Sequence, residues 1–187
     1  METVELQEQY EALYRDLKRA QELYWSEPQK CGMLLRLATE RICHIYNCYY
    51  EIGFAESAVL EDFLCYTDQA EHNVMVSRFL SVVRSEQRDR LEWLRVWGDE
   101  CIFMDENPEE IARNQDKLYM NVKKMMVHML DATREMCEKI NHRTDLRGRT
   151  FDETILPGYQ TAEEREEQER KWKKEGKKQR FSFFRKK

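Results

Sequence analysis

Apolar side chains recur every three or four residues through most of the first 141 positions, which places them along one face of successive helices. Over residues 4–24 the stripe is Tyr10, Leu13, Tyr14, Leu17, Ala20 and Tyr24, with acids and bases between. Ser26-Glu27-Pro28-Gln29 then reads as a helix start. Ser26 can accept a bond from an open backbone N–H, Gln29 can reach back, and proline suits the first turn. The second helix runs through Leu34, Leu37, Ala38, Ile42, Ile45 and Tyr49, so the pair forms a hairpin with a very short connection. Glu51-Ile52-Gly53-Phe54 breaks the pattern. A short helix is expected over residues 57–66, a turn over 68–73, and helical character over 74–97 with a break inside the polar run 84–90.

After Asn107-Pro108 comes the longest helix, with Asn107 as cap and Glu109 and Glu110 near the positive end of its dipole. Ile111, Leu118, Val122, Met125, Met129, Ala132, Met136 and Ile140 form its stripe, a core face or an adaptable Met-rich groove. Past Asn141, Arg147-Gly148-Arg149 and Leu156-Pro157-Gly158 read as linker, and residues from Thr161 onward as a solvated helix of alternating charge. The expected fold is all-α: a bundle of about five helices over residues 1–141 with a long last core helix, then a charged C-terminal tail over 142–187.

Composition narrows this picture. Hydrophobic residues at 41% of 187 supply one core, and six glycines with three prolines are too few for a strand-and-turn architecture. No stretch approaches the roughly 18 apolar residues of a membrane span, and the acidic N-terminus lacks the order of a secretory signal, so the expected location is cytoplasmic. Charge is split. Residues 170–187 hold ten Lys and Arg against Glu175, giving +9, so with −5 overall the rest carries −14. The six cysteines contain no Cys-x-x-Cys pair and read as buried free thiols; no metal site and no cofactor is expected.

One stretch departs from plain helical texture: Arg95-Val96-Trp97-Gly98-Asp99-Glu100-Cys101-Ile102-Phe103-Met104-Asp105. Gly98 can end a helix there, with Asp99 capping the next turn and Glu100 just inside it. Arg95 then partners a helix C-terminus, or pairs with Asp99 or Asp105. Alternatively Arg95 faces a cleft and handles phosphate, for which a guanidinium is suited. The four histidines, His44, His72, His128 and His142, show no helical pairing, and no glycine-rich phosphate loop is present in the sequence.

Two segments carry a resemblance. Glu22-Leu23-Tyr24-Trp25-Ser26-Glu27-Pro28 with Leu34-Leu35-Arg36 and Thr39-Glu40 resembles the opening of a bacterial all-helical domain. That domain occurs at the N-terminus of type I restriction enzyme motor subunits and in stand-alone prokaryotic proteins. Its second signature, in outline Arg-x-x-Gly-Asn-x-x-x-His, is similar to Arg95 through Phe103, so the resemblance spans about residues 20 to 140. The domain is in turn similar to the HEPN group, some members of which are metal-independent RNases using an arginine and a histidine, commonly in a dimer cleft. In such chemistry arginine stabilises the phosphorane and histidine moves the proton of the 2′-hydroxyl. Here Arg95 matches the arginine, Asp99 replaces the asparagine, and Phe103 stands where the histidine belongs. Phenylalanine transfers no proton, so the resemblance implies a degenerate copy.

The tail interleaves basic and aromatic residues. Lys171, Trp172, Lys173, Lys174, Lys177, Lys178, Arg180, Phe181 and Phe184 are candidate nucleic-acid contacts, through phosphate neutralisation and base stacking. An anionic membrane surface or simple solvation is the other reading of the same segment. The expected function is a non-catalytic HEPN-like interaction module binding a protein partner or a second copy, with the tail on nucleic acid or that partner. Two alternatives stand beside it. One is a metal-independent RNase using Arg95 with Asp99 or Glu100 as base; the other is a nucleic-acid-binding accessory protein acting through its tail.

Overall fold

The structure, a computed structural model, describes residues 2–65, 69–103 and 108–141, and these form an all-α bundle. Helices α1 (Glu2–Leu23) and α2 (Pro28–Tyr50) make the expected hairpin. Its connection is tied by the Glu27 N–H donating to Leu23 O at 2.8 Å. The expected serine cap is not used: Glu27 is the N-cap, without a side-chain bond, and Pro28 opens α2. Gln29 instead donates from Nε2 to Cys101 O at 3.0 Å, bridging to another helix.

α2 is the central element, packed against α1, α3, α4, α5 and α6. Its middle is accordingly buried nearly all round, from Ala38 and Thr39 to Ile42, Cys43, His44, Ile45, Tyr46 and Asn47. It ends where Glu51 takes a left-handed conformation (φ 50°) and Gly53 follows at φ 107°. Asn47 organises that turn by donating to Phe54 O at 3.0 Å while its Oδ1 accepts from the N–H groups of Gly53 and Phe54. The break expected at residues 51–54 is therefore real, and a buried asparagine satisfies its backbone.

Beyond it, the expected helix over 57–66 shrinks to a five-residue turn, α3 (Leu60–Leu64), whose start is held by Glu40 accepting the Leu60 N–H at 3.1 Å. α4 (Ala70–Val82) begins inside the polar run expected as a turn. The break expected inside residues 84–90 is confined to Val83 and Arg84, both extended, and α5 (Ser85–Ile102) starts directly after them. The polar run is helical because it has partners. Gln87 is fully buried and donates to Ala132 O at 2.8 Å, and Arg90 reaches Glu135 at 3.0 Å and Glu86 at 2.5 Å.

α6 (Pro108–Asn141) runs 34 residues, roughly 50 Å at 1.5 Å per residue. Met125, Met129 and Met136 are buried with Leu118, Val122, Ala132 and Ile140, so the methionine stripe is core. The expected cap Asn107, the partner candidate Asp105, His142 and every candidate contact of the tail lie outside the described residues. No helix among the described residues is long and apolar enough to cross a membrane.

Candidate functional site

α5 meets α2 at an unusually close crossing. Gly98 is buried, and a Cβ there would fall on the Cβ of Arg36 and lie 2.8 Å from its Cγ. One turn away the roles reverse, with Gly32 of α2 lying beneath the Cys101 side chain. The expectation that Gly98 ends a helix is corrected accordingly: α5 continues through it to Ile102, and the glycine serves close approach.

That approach brings the two family-like segments face to face. Arg36, on α2, donates from Nε to Asp99 Oδ1 at 2.5 Å and from Nη2 to Glu61. Arg95 donates from Nη1 to the other oxygen of Asp99, at 2.9 Å, and grips Glu92 with Nε at 3.0 Å and Nη2 at 2.6 Å. Asp99 thus joins two guanidiniums and does not cap a turn. The side chains of Arg36, Arg95 and Asp99 are 17%, 19% and 22% exposed, a half-dry setting in which charge-assisted bonds gain strength.

The electrostatics lock both arginines as cations. The bonds to Glu92 raise Arg95 above its ordinary value, burial opposes this, and Asp99 adds to the rise. Burial works against the charge of Arg36, yet its bonds to Asp99 and Glu61 outweigh that and hold it above its usual value. Neither group can serve as a base. Three carboxylates surround two guanidiniums, and three of Arg95's five N–H donors are committed to them. An incoming phosphate would compete with carboxylates already seated.

Glu100 does not join this network. Five positions after Arg95, it projects about 140° away around the helix, where Asn121 of α6 donates to its Oε2 at 3.3 Å. Glu100 and Phe103 line an open cleft of about 340 Å³ with Asn114, Lys117, Leu118 and Asn121. Phe103 is 82% exposed. The structure therefore unites Arg95 with Asp99 and places Glu100 and Phe103 at a separate cleft.

Among the described residues the histidines contribute no proton-transfer group to the Arg95 network. His44 is buried, with Nε2 2.8 Å from Ala58 O and its ring edge-on to Phe63. His72 lies 3.7 Å from Asp62 and against Phe54. His128 packs on Trp97, and burial lowers its pKa from the usual imidazole value, with Arg90 lowering and Asp131 raising it. All six cysteines are free, and burial pushes Cys31 up to about 12 and Cys101 up to about 11. Among the described residues no group of three His, Cys, Asp or Glu side chains is placed to hold a metal ion.

In comparisons with known proteins, no family model matches the chain, and no curated protein or solved structure is detectably similar.

Several of these residues had a readable signal. Glu92, Arg95 and Asp99 follow the i, i+3 and i, i+4 spacing at which helix charges meet. Asn114, Lys117 and Asn121 likewise share one polar flank of α6. The pairing of Arg36 had none, because the close crossing at Gly98 brings it to Asp99 from 63 positions away and Glu61 reaches it from α3.

Proposed function

We propose that this chain is a non-catalytic, HEPN-like interaction module of the prokaryotic cytoplasm, in a setting tied to restriction or defence. Its helical body binds a protein partner or a second copy, and its basic, aromatic tail contacts nucleic acid or that partner. One observation carries the reading: the body leaves large aromatic side chains in solvent. Trp25 is 74% and Trp93 52% exposed, alongside Phe103. Trp25 is braced, its ring 4.8 Å from that of Tyr24 and its carbonyl accepting from the Tyr119 hydroxyl at 2.6 Å. Trp93 lies 5.2 Å from Trp97, which in turn packs on His128. Tryptophans are enriched among the few residues that carry most of the binding energy at protein interfaces.

The commitment of Arg95 to Glu92 and Asp99 supports the non-catalytic half of the proposal. An RNase built on Arg95 with Asp99 as base has a carboxylate whose two oxygens are already bonded to Arg36 and to Arg95 itself.

The test is affinity capture with the immobilised full chain and with its Trp25→Ala/Trp93→Ala variant, from extracts of cells that express it. A partner held by the parent and lost at least about tenfold in the variant is expected. A partner held equally by both would overturn the assignment of these tryptophans to an interface.

A further inference from the structure

The outward ridge of α6 carries apolar and basic side chains together. Met120 and Val127 are 56% and 50% exposed. Seven positions apart, they lie nearly in line, roughly 10 Å from each other along the helix. Lys117 and Lys124 run beside them on one flank and Lys123 on the other, all three exposed. None of these lysines has an ion-pair partner among the described residues. Residues 114–130 hold three lysines against Asp116, so this segment carries +2 within the −14 of residues 1–169. The ridge is a basic strip with an aliphatic seam on an acidic protein.

We propose that this ridge docks a short, acidic amphipathic helix of a protein partner. The proposal rests on the reading of the body as a protein-binding module, and it names the face and the partner's chemistry. Two anchors at heptad spacing suit a second helix laid alongside at a shallow angle. Its apolar stripe then covers Met120 and Val127, and its carboxylates stand opposite the lysines. An extended segment would need a sheet edge for its backbone, and the described residues form no strand. Charge fixes the partner's sign, since three ammonium groups favour carboxylates and repel a basic helix. Width separates a helix from a broad anionic surface. A helix is about 10–12 Å across and stays on the ridge. A bilayer or a duplex would spread onto α5, which runs beside α6 with Trp97 against His128, and meet the exposed Glu86, Asp89 and Glu100. These acids lie within about 40° of Trp93 around α5, on its outward side. A single strand gains affinity by stacking bases on aromatic faces, and the seam is aliphatic. Contact over about three turns makes the binding weak and salt-sensitive.

The probes are synthetic helical peptides with glutamates flanking a stripe of Leu, Phe or Trp. Each has a control with the stripe changed to Ser and another with the glutamates changed to Lys. They are titrated into the full-length, isotope-labelled chain and read by backbone amide NMR shifts. Expected is saturable movement of the Met120, Lys123, Lys124 and Val127 signals with at least one acidic peptide and with neither control. Lys117→Glu/Lys124→Glu should weaken it about tenfold, and Met120→Ala/Val127→Ala should weaken it as well. Asp116→Lys should tighten it, a gain that damage to the fold would not produce. Movement confined to residues 170–187, or equal with the Ser control, would assign the peptide to the charge of the tail and overturn the ridge. Ridge signals that respond to anionic vesicles or a single-stranded oligonucleotide and to no peptide would overturn it in favour of those ligands. Ridge signals that shift with protein concentration alone would assign the face to a second copy and overturn it too. No ridge movement with any peptide at several millimolar would also overturn it. Movement at Trp25 and Trp93 with the ridge silent would overturn the ridge and leave the protein-binding reading standing, which the tryptophan capture decides on its own.

Discussion

Asp99 accepts from Arg36 through one oxygen and from Arg95 through the other, so its removal takes one of two carboxylate partners from each of two cations that are less than one-fifth exposed. Asp99→Ala should therefore destabilise the fold by about 2–3 kcal/mol, measured by urea unfolding. An effect within the few tenths expected of a surface acid would show that the network is ornamental. His128 gives a second residue-scale test, through pH. Its folded pKa is lowered, foremost by burial, so below the ordinary value of 6.5 the unfolded chain binds the proton first. Stability held by the neutral ring is present above that pH and is lost as pH falls through and below it. His128→Gln should flatten the decline of the unfolding temperature between about pH 7 and 5; parallel slopes for parent and variant would remove His128 from the explanation. Glu92, Arg95 and Asp99 could be paired from helix spacing alone, whereas Arg36 could not, because its partners are 25 and 63 positions away.

At the scale of elements, most of the stripes of α1, α2 and α6 were legible because three- and four-residue spacing reports a buried apolar face directly. Tyr14 of the α1 stripe is nonetheless exposed, and the fully buried Cys31 and Leu35 lay outside the stripe expected for α2. The start of α5 was obscured because its first turns are polar; Gln87, through Nε2, and Arg90 bond to groups on α6 45 residues later. Gly98 was misread for a different reason. A glycine ending a helix and a glycine admitting a neighbouring helix look alike in sequence, and only the Arg36 side chain above it separates them. Gly98→Ala tests this, since an exposed mid-helix position would gain about 1 kcal/mol from alanine. Here the new Cβ meets the base of a side chain and not its flexible end, so a loss of about 1–3 kcal/mol is expected, read by urea unfolding. A gain would contradict the close crossing of α2 and α5.

For the whole molecule, a buried core with a committed arginine network sits beneath exposed tryptophans and a polar cleft, a division suited to binding. The candidate cleft was half legible: Glu100 and Phe103 drew attention as part of a motif, while Asn114, Lys117 and Asn121 join them only where α6 lies beside α5. The charge split between body and tail belongs to this scale too. Nucleic acid held by ten clustered basic residues should be released steeply as salt rises.

The most direct measurement is a gel of labelled single-stranded RNA incubated without metal with the full chain and with Arg95→Ala. The expected result is intact RNA in both lanes, with any retardation alike for the two proteins and falling with salt. Arg95→Ala should at the same time lower the unfolding temperature, since Glu92 and Asp99 lose their shared cation. Fragments produced by the parent and absent with Arg95→Ala would contradict a non-catalytic module and make Arg95 a catalytic residue.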